Sequence, residues 1–403
     1  MRNLEEALFW EILYRHRAVR SELARLFAVS AATISRSAGV LLAKQLVLET
    51  DATSSSRGRR PALLQVNPKL ADVAGIEIDR DRITAVVTDM AGNLLGRGAI
   101  PASAGNPVRR TLRDCREAMR IALADAGGRR VKVARIGVGL GGTLDVENGL
   151  CMEWEGAPHW RRLNLLGALR ETFDTEITLD DRARAVALAQ HLLWPENRRH
   201  RSAIYVQIGT GIGAGIFVDG RMWRGATLAG GEIGHIVIDR NGPLCKCGRR
   251  GCVEAFASLG ATMTRVRQGL ENGVKTSLSE EVKSPAHLTA EMIVSAARNG
   301  DPLAQTALTE AGEALGIGIA NAVQLLNPSL VVLAGKFAYA AGDFLLAAVA
   351  RAVQTQCFEA IARGLEIRSA PFRKDVAPIG CALLASLDVA SDLIQRALFV
   401  PPR

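Results

Sequence analysis

Residues Gly230–Ser258 read GGEIGHIVIDRNGPLCKCGRRGCVEAFAS. Cys245, Cys247 and Cys252 fall within one short glycine-rich turn, and His235 lies just upstream. Three thiolates and an imidazole make a complete ligand set for a closed tetrahedral zinc site. Gly248 and Gly251 allow positive φ, so the thiolates can converge on one point. Lys246, Arg249 and Arg250 crowd the same turn, and their charge favours the thiolate form that a metal needs. The alternative is three buried cysteines and a core histidine; the completeness of the ligand set favours structural Zn2+. Glu232 and Glu254 frame the stretch. Alone, each reads as a solvated glutamate. Pinned beside a rigid metal turn, they gain a use as acceptors for ligand hydroxyls, because a preorganised site loses less entropy on binding.

The run Glu-Ile-Gly-His followed by Cys-Lys-Cys-Gly-Arg-Arg-Gly-Cys-Val-Glu-Ala-Phe-Ala-Ser resembles the signature of the ROK family, the repressors, open reading frames and sugar kinases. The resemblance implies that His235 binds zinc and that Glu232, His235 and Glu254 line a sugar pocket. Members of the family are bare kinases or repressors with an added N-terminal DNA-binding domain, so the rest of the chain has to decide between them.

The chain has 403 residues, 48% of them hydrophobic, enough for two or three domains with sizeable cores. A net charge of +9 and a pI of about 9.5 suit an acidic partner such as DNA. Seven cysteines, three of them at metal spacing, point to a reducing cytoplasm rather than a disulfide framework. The apolar stretch near Leu345 is broken by Asp343 and Arg351, too soon to cross a bilayer. Glu5 and Glu6 stand where an export signal would be basic, so no signal peptide is expected.

Residues 1–68 read as a DNA-binding domain. Leu4, Ala7, Leu8 and Ile12 keep helical spacing, and Ser21 is a candidate cap for a second helix carrying Leu23, Ala24 and Phe27. After the turn Ala28-Val29-Ser30, a third helix is expected over Ala31–Gln45, with Ile34, Leu41 and Leu42 buried. Its small, polar start, Ala31, Ala32, Thr33, Ser35 and Arg36, suits the recognition helix of a helix-turn-helix, which must approach base edges closely. Two strands, Leu46–Glu49 and Ala62–Val66, flank a basic tip with Arg57, Arg59 and Arg60, which read as contacts to phosphates or a minor groove. By itself a charge run is a solvated loop; behind a helix-turn-helix it makes a winged helix. The segment also resembles the DNA-binding domain of ROK repressors, including the Gly-Arg-Arg-Pro wing.

The remainder is expected to be α/β, a two-lobed actin-like, ribonuclease H-like ROK sugar-kinase fold. Lobe I takes residues 69–191 with a returning C-terminal helix over 379–403, and lobe II takes 192–378. Each lobe opens on a strand pair: Ala74–Ile78 with Ile83–Thr88, and Ile204–Ile208 with Gly215–Val218. The turn Gly209–Gly215 is glycine-rich, fit to cradle a phosphate with backbone N–H groups. The first turn is Asp79-Arg80-Asp81-Arg82, where ROK kinases carry Gly-Gly-Thr-Lys, and its acids repel a triphosphate. Gly137–Asp145 resembles the loop that closes over the sugar, with Gly141 in place of the usual proline. Trp154 and Trp160 read as core. Leu259–Gly273 reads as helix, Lys275–Pro285 as an exposed irregular connection, and Thr289 and Asp301-Pro302 as helix starts. Ala334-Gly335 stands where the kinases have Gly-Gly near the nucleotide base.

The stretch that separates kinase from repressor is Thr178–Gln190, TLDDRARAVALAQ. Aligned by its Ala-Leu-Ala end to the kinase pattern Asn-Asp-Ala-Asn, Asp181 falls on the first Asn, Arg182 on the catalytic Asp and Arg184 on the second Asn. An arginine stays protonated and cannot take the proton from a sugar hydroxyl. A one-residue slip restores an aspartate at Asp181 but breaks the alanine pattern of the following helix. The expected protein is therefore a non-enzymatic cytoplasmic regulator of carbohydrate genes. Operator DNA and a carbohydrate or sugar-phosphate effector are its expected partners, with Glu232, His235, Glu254, Asp181 and Arg182 at the effector. Arg184 beside Arg182 suggests the acidic or phosphorylated variant. A homodimer or homotetramer is expected, as paired DNA half-sites require. The alternative is an ATP-dependent sugar kinase with an added DNA-binding domain.

Overall fold

The computed structural model describes residues 3–50, 62–127, 131–154, 157–281, 287–371 and 373–399. The chain forms two compact units, Met1–Arg198 with Asp375–Arg403, and Arg199–Lys374.

The first unit begins with α1 (Leu4–Arg15), β1 (Ala18–Val19), α2 (Arg20–Leu26), α3 (Ala31–Ala43), β2 (Val47–Thr50) and β3 (Leu63–Val66). Asn3 caps α1 by accepting the Glu5 N–H, and Glu5 and Glu6 complement the positive end of the helix dipole. Ser30 caps α3 by accepting from Thr33 N. Leu8, Phe9, Ile12, Leu23, Ile34, Leu41 and Leu64 are fully buried between the three helices and the sheet. Each contributes roughly 1.5–3 kcal/mol by leaving water. β1 is not legible in the sequence: Ala18 and Val19 pair antiparallel with Leu64 and Leu63, giving the sheet order β1-β3-β2. That pairing holds Val19 extended as the N-cap of α2, so the expected cap Ser21 lies inside the helix. In α3 the buried face is Ile34, Ser37, Ala38 and Leu41, with Leu42 only partly covered. The wing residues Arg57, Arg59 and Arg60 lie outside the described residues.

The unit continues with β4 (Asp72–Ile78), β5 (Arg82–Asp89), β6 (Leu94–Pro101), α4 (Val108–Asp125), β7 (Val133–Leu140), β8 (Thr143–Asp145), β9 (Leu150–Glu153), β10 (Leu163–Asn164), α5 (Leu165–Thr172), β11 (Glu176–Asp181), α6 (Arg182–Leu193) and α7 (Pro195–Arg198). Its main sheet has the order β11-β7-β4-β5-β6, with β4, β5 and β6 antiparallel and β7 and β11 parallel to β4. Trp154 and Trp160 are core residues, as expected, and meet edge to face at 4.8 Å between ring centroids.

The second unit holds β12 (Ala203–Ile208), β13 (Ile212–Val218), β14 (Arg221–Trp223), α8 (Val253–Ala257), α9 (Leu259–Glu271), α10 (Leu278–Glu281), α11 (Ala290–Arg298), α12 (Pro302–Leu326), β15 (Leu330–Ala334), α13 (Lys336–Gln356), α14 (Glu359–Ala362) and β16 (Glu366–Ser369). Its sheet order is β14-β13-β12-β15-β16, again three antiparallel strands followed by two parallel ones. The faint likeness of the two hairpins in the sequence is therefore a repeated topology. Thr289 and Asp301 cap α11 and α12 as expected, with Pro302 at the first position of α12. The expected irregular connection contains α10, because Leu278 is fully buried and Asp301 accepts from Thr276 and Ser277.

The chain returns to the first unit as α15 (Val376–Phe399). α15 lies on β4 and β7 at two glycines: a Cβ on Gly75 or Gly137 would sit 1.9 Å from the Pro378 carbonyl oxygen or 1.8 Å from that of Cys381. Among the described residues α15 is the one unbroken helix long and apolar enough to cross a membrane, and 72% of its most apolar window is buried.

Candidate functional site

In the second unit, His235, Cys245, Cys247 and Cys252 come together: one ligand atom from each lies within 4.8 Å of all the others. Cys245 Sγ is 3.7 Å from His235 Nδ1, and Cys247 Sγ is 3.7 Å from Cys252 Sγ. A tetrahedral zinc with bonds of about 2.3 Å to sulfur and about 2.0 Å to nitrogen requires S···S near 3.8 Å and S···N near 3.6 Å. The cluster therefore fits a tetrahedral metal ion, with Nδ1 as the imidazole ligand. The electrostatics of the three thiols differ. Burial first, then the neighbouring sulfurs, push Cys252 up to about 12. Burial raises Cys247 too, but the Arg249 N–H and side chain outweigh it and bring it to about 7. Thiolates this close need a cation between them.

The local sequence explains the shape. Gly248 and Gly251 hold φ of 85° and 72°, the left-handed values expected for the turn. Upstream, a Cβ on Gly231 or Gly234 would strike the carbonyl oxygens of Ala214 or Ile212 at 2.0 and 2.2 Å. The GGEIGH run thus lies flat against β13, which presents Glu232 and His235 from a fixed base. Glu232 is half-exposed, with a carboxylate oxygen 4.0 Å from His235 Nε2. Glu254 differs from Glu232. Its carboxylate is buried, accepts the Ile212 N–H at 2.8 Å and lies 3.2 Å from Lys246 Nζ. Glu254 ties the glycine turn to the metal turn. The turn itself is shorter than expected: Ile212–Gly215 pair with Tyr205–Ile208, leaving Gly209–Gly211 as the bend.

In the first unit, β11 runs directly into α6. Asp181 is the N-cap of α6, accepting from Ala183 N and Arg184 N, and burial raises its pKa. Arg182 turns toward the first hairpin: Nη1 is 2.8 Å from Asp79 Oδ1 and 3.7 Å from Glu77 Oε1. Burial alone would depress this guanidinium, but Asp79, Glu77 and Asp181 hold it above its usual range. The same guanidinium explains Gly141. A Cβ there would be 3.0 Å from Nη2 and 3.1 Å from Cζ, so the proline typical of the family would require the guanidinium to shift by a few tenths of an ångström. Arg184 is buried against Asp180 at 2.6 Å. Both arginines of the acidic-sugar variant thus have carboxylate partners within the protein: Asp180 for Arg184, and Asp79 and Glu77 for Arg182.

At the start of α3, Ala31, Ala32, Ser35 and Arg36 are exposed and Thr33 is half-buried. Thr33 Oγ1 lies 2.8 Å from Ser30 Oγ, within the capping turn. Sequence reasoning missed three things: the Arg182 partners Glu77 and Asp79, the structural task of Glu254, and the reason for Gly141. The signal for the first and third was present, since Asp79, Gly141 and Arg182 all depart from the kinase pattern together.

Residues 73–387 match the ROK family. The chain is 28% identical over 375 residues to a xylose repressor of Caldicellulosiruptor bescii, covering 92% of each chain. It is 27% identical to the DNA-binding transcriptional dual regulator NagC of Escherichia coli, over 91% of this chain and 88% of that one. Among solved structures, a ROK family transcriptional regulator, described as a homologue of the E. coli MLC protein, superposes with a TM-score of 0.73 at 26% identity and covers 94% of both chains. A ROK hexokinase from Thermus thermophilus superposes with a TM-score of 0.65 at 28% identity, covering 99% of its own chain but 79% of this one.

Proposed function

This chain belongs to the ROK family, and we propose that it is a DNA-binding transcriptional repressor of carbohydrate genes whose ROK domain binds a sugar and performs no phosphoryl transfer. The observation that carries the reading is the Arg182–Asp79 ion pair. It sets a permanent cation where a kinase needs a proton acceptor and engages the hairpin that would hold phosphates. The α2–α3 pair, with its exposed polar face on α3, supplies the DNA-binding element. Relatives named xylose repressor and NagC over nearly the whole chain support both halves.

The effector is a neutral sugar, because the two arginines that favoured an acidic one are neutralised internally. Glu232 and His235 read its hydroxyls directly. Glu254 holds the glycine turn and metal turn in register beneath them. His235, Cys245, Cys247 and Cys252 hold a structural Zn2+, which supplies a rigid crosslink and leaves His235 Nε2 for the ligand. The regulator works in the cytoplasm as a homodimer or homotetramer on paired half-sites. Ligand control requires only that the sugar prefer one arrangement of the molecule over another.

Selecting genomic fragments bound by the purified protein, with and without a panel of neutral sugars, tests the proposal. It expects one fragment set whose recovery changes with one sugar. A coupled assay showing sugar-dependent ATP consumption would move the chain to the kinases.

A further inference from the structure

The first unit contains a partly enclosed cavity of about 150 Å3 where the winged helix meets the α/β core. One wall is Leu13, His16 and Arg17 at the end of α1, with Gln65 and Val66 of β3. The facing wall includes Met90, Asn93, Leu192, Leu383 and Ser386. The lining mixes polar groups with the apolar side chains of Leu13, Met90, Leu192 and Leu383, and its α1 end is basic. Among the described residues, neither the His16 ring nor the Arg17 guanidinium has a hydrogen-bond or ion-pair partner. Arg198 stands behind them: its Nη1 donates to the Arg15 carbonyl at 2.9 Å, while its Nε is buried without an acceptor. The acids acting here are Asp89 on His16 and Glu196 on Arg198. Asp89 is already engaged, accepting from the Ala91 and Asn93 N–H groups and from Asn93 Nδ2. Burial, then Arg198 and Arg17, depress His16 to about 4, which measures how positive the spot is. His16 also holds φ at 63°, a left-handed value costly for a non-glycine residue.

We propose that this cavity is a second ligand site, for a small organic carboxylate with a compact apolar body, bound between the winged helix and the core of the first unit. The carboxylate answers the unpartnered Arg17 guanidinium, with Arg198 behind it and the neutral His16 ring beside it as a hydrogen-bond donor. The apolar body fills the space among Leu13, Met90, Leu192 and Leu383, which is the size that admits a single benzene ring. Because the two walls come from different parts of the unit, the ligand bridges them. Occupancy favours the docked position of the winged helix and forms an input separate from the sugar.

The test is calorimetric titration of the full chain with benzoate, with benzyl alcohol as its uncharged counterpart and inorganic phosphate as the bare anion. Benzoate is expected to bind in 1:1 ratio, about tenfold or more tighter than either control. Arg17→Gln, at an exposed position, should weaken benzoate about tenfold without changing the melting temperature. Ala91→Phe should abolish binding by filling the cavity. The His16 ring should titrate at higher pH when benzoate is bound. No benzoate binding at about 10 mM, equal binding of benzoate and phosphate, or unchanged affinity in Arg17→Gln would overturn the proposal. If Ala91→Phe does not fold, the Arg17→Gln and His16 readouts decide.

Discussion

Replacing Arg182 with methionine removes the guanidinium while roughly keeping the volume. In the native protein Nη1 lies 2.8 Å from one carboxylate and 3.7 Å from another, and all three side chains are about one-sixth exposed. At an effective dielectric of about 20, these separations correspond to gross attractions of about 6 and about 4 kcal/mol. Desolvation offsets most of this, but the carboxylates stay desolvated after the cation has gone. The expected net cost is about 3–5 kcal/mol. For a unit of this size that lowers the first thermal transition by roughly 10 °C. Scanning calorimetry of the wild type, Arg182→Met, Asp79→Asn and the double variant measures it. The double variant should recover part of the loss, giving a coupling of about 1–3 kcal/mol. Arg182→Asp should be worse than Arg182→Met, since it sets a third carboxylate beside two, and should gain no kinase activity. A melting temperature for Arg182→Met equal to that of the wild type would refute the lock, and sugar-dependent ATP turnover by the wild type would refute the account of lost catalysis.

Gly141→Pro should cost about 1–3 kcal/mol by pushing the guanidinium off Asp79, and much less in an Arg182→Ala background; thermal melts of the four proteins show the dependence. Elemental analysis should find one zinc per chain, and Cys252→Ser or chelator treatment should abolish it and destabilise the second unit, read by protease sensitivity around Gly230–Ser258. Acid should weaken the first unit through His16. Its folded pKa, about 4, is below the ordinary 6.5, so the unfolded chain binds the proton more readily. Stability from this group is complete above pH 6.5 and lost as pH falls toward 4. The ceiling is near 3 kcal/mol, reduced to about 1–2 kcal/mol by the solvent reaching the ring. His16→Gln should flatten that part of the pH–stability curve in urea titrations.

The metal turn was legible because its chemistry is local: ligands and glycines lie within one short stretch, and their spacing constrains the backbone directly. The repeated strand pairs were legible from alternation at Ala74–Ile78 and Ile204–Ile208. What escaped depends on contacts distant in the chain. β1 is two residues long, and only pairing with Leu63 and Leu64 makes it a strand. Arg182 reads as a ligand-facing cation until the fold brings Asp79 to within hydrogen-bonding distance. Glu254 reads as a sugar contact, and only the fold shows that its carboxylate also accepts the Ile212 N–H of β13. In each case the residue type announced its chemistry, and tertiary packing decided what that chemistry was spent on.

The central claim is that sequence-specific DNA binding is set by a sugar with no phosphoryl transfer. Fluorescence anisotropy on a selected operator duplex and an unrelated duplex, at fixed salt and without ATP, measures it directly. The account predicts an operator preference of about a thousandfold or more, and a shift of about tenfold or more in operator affinity on adding one neutral sugar. Equal affinity for both duplexes, unmoved by every sugar tried, would contradict it.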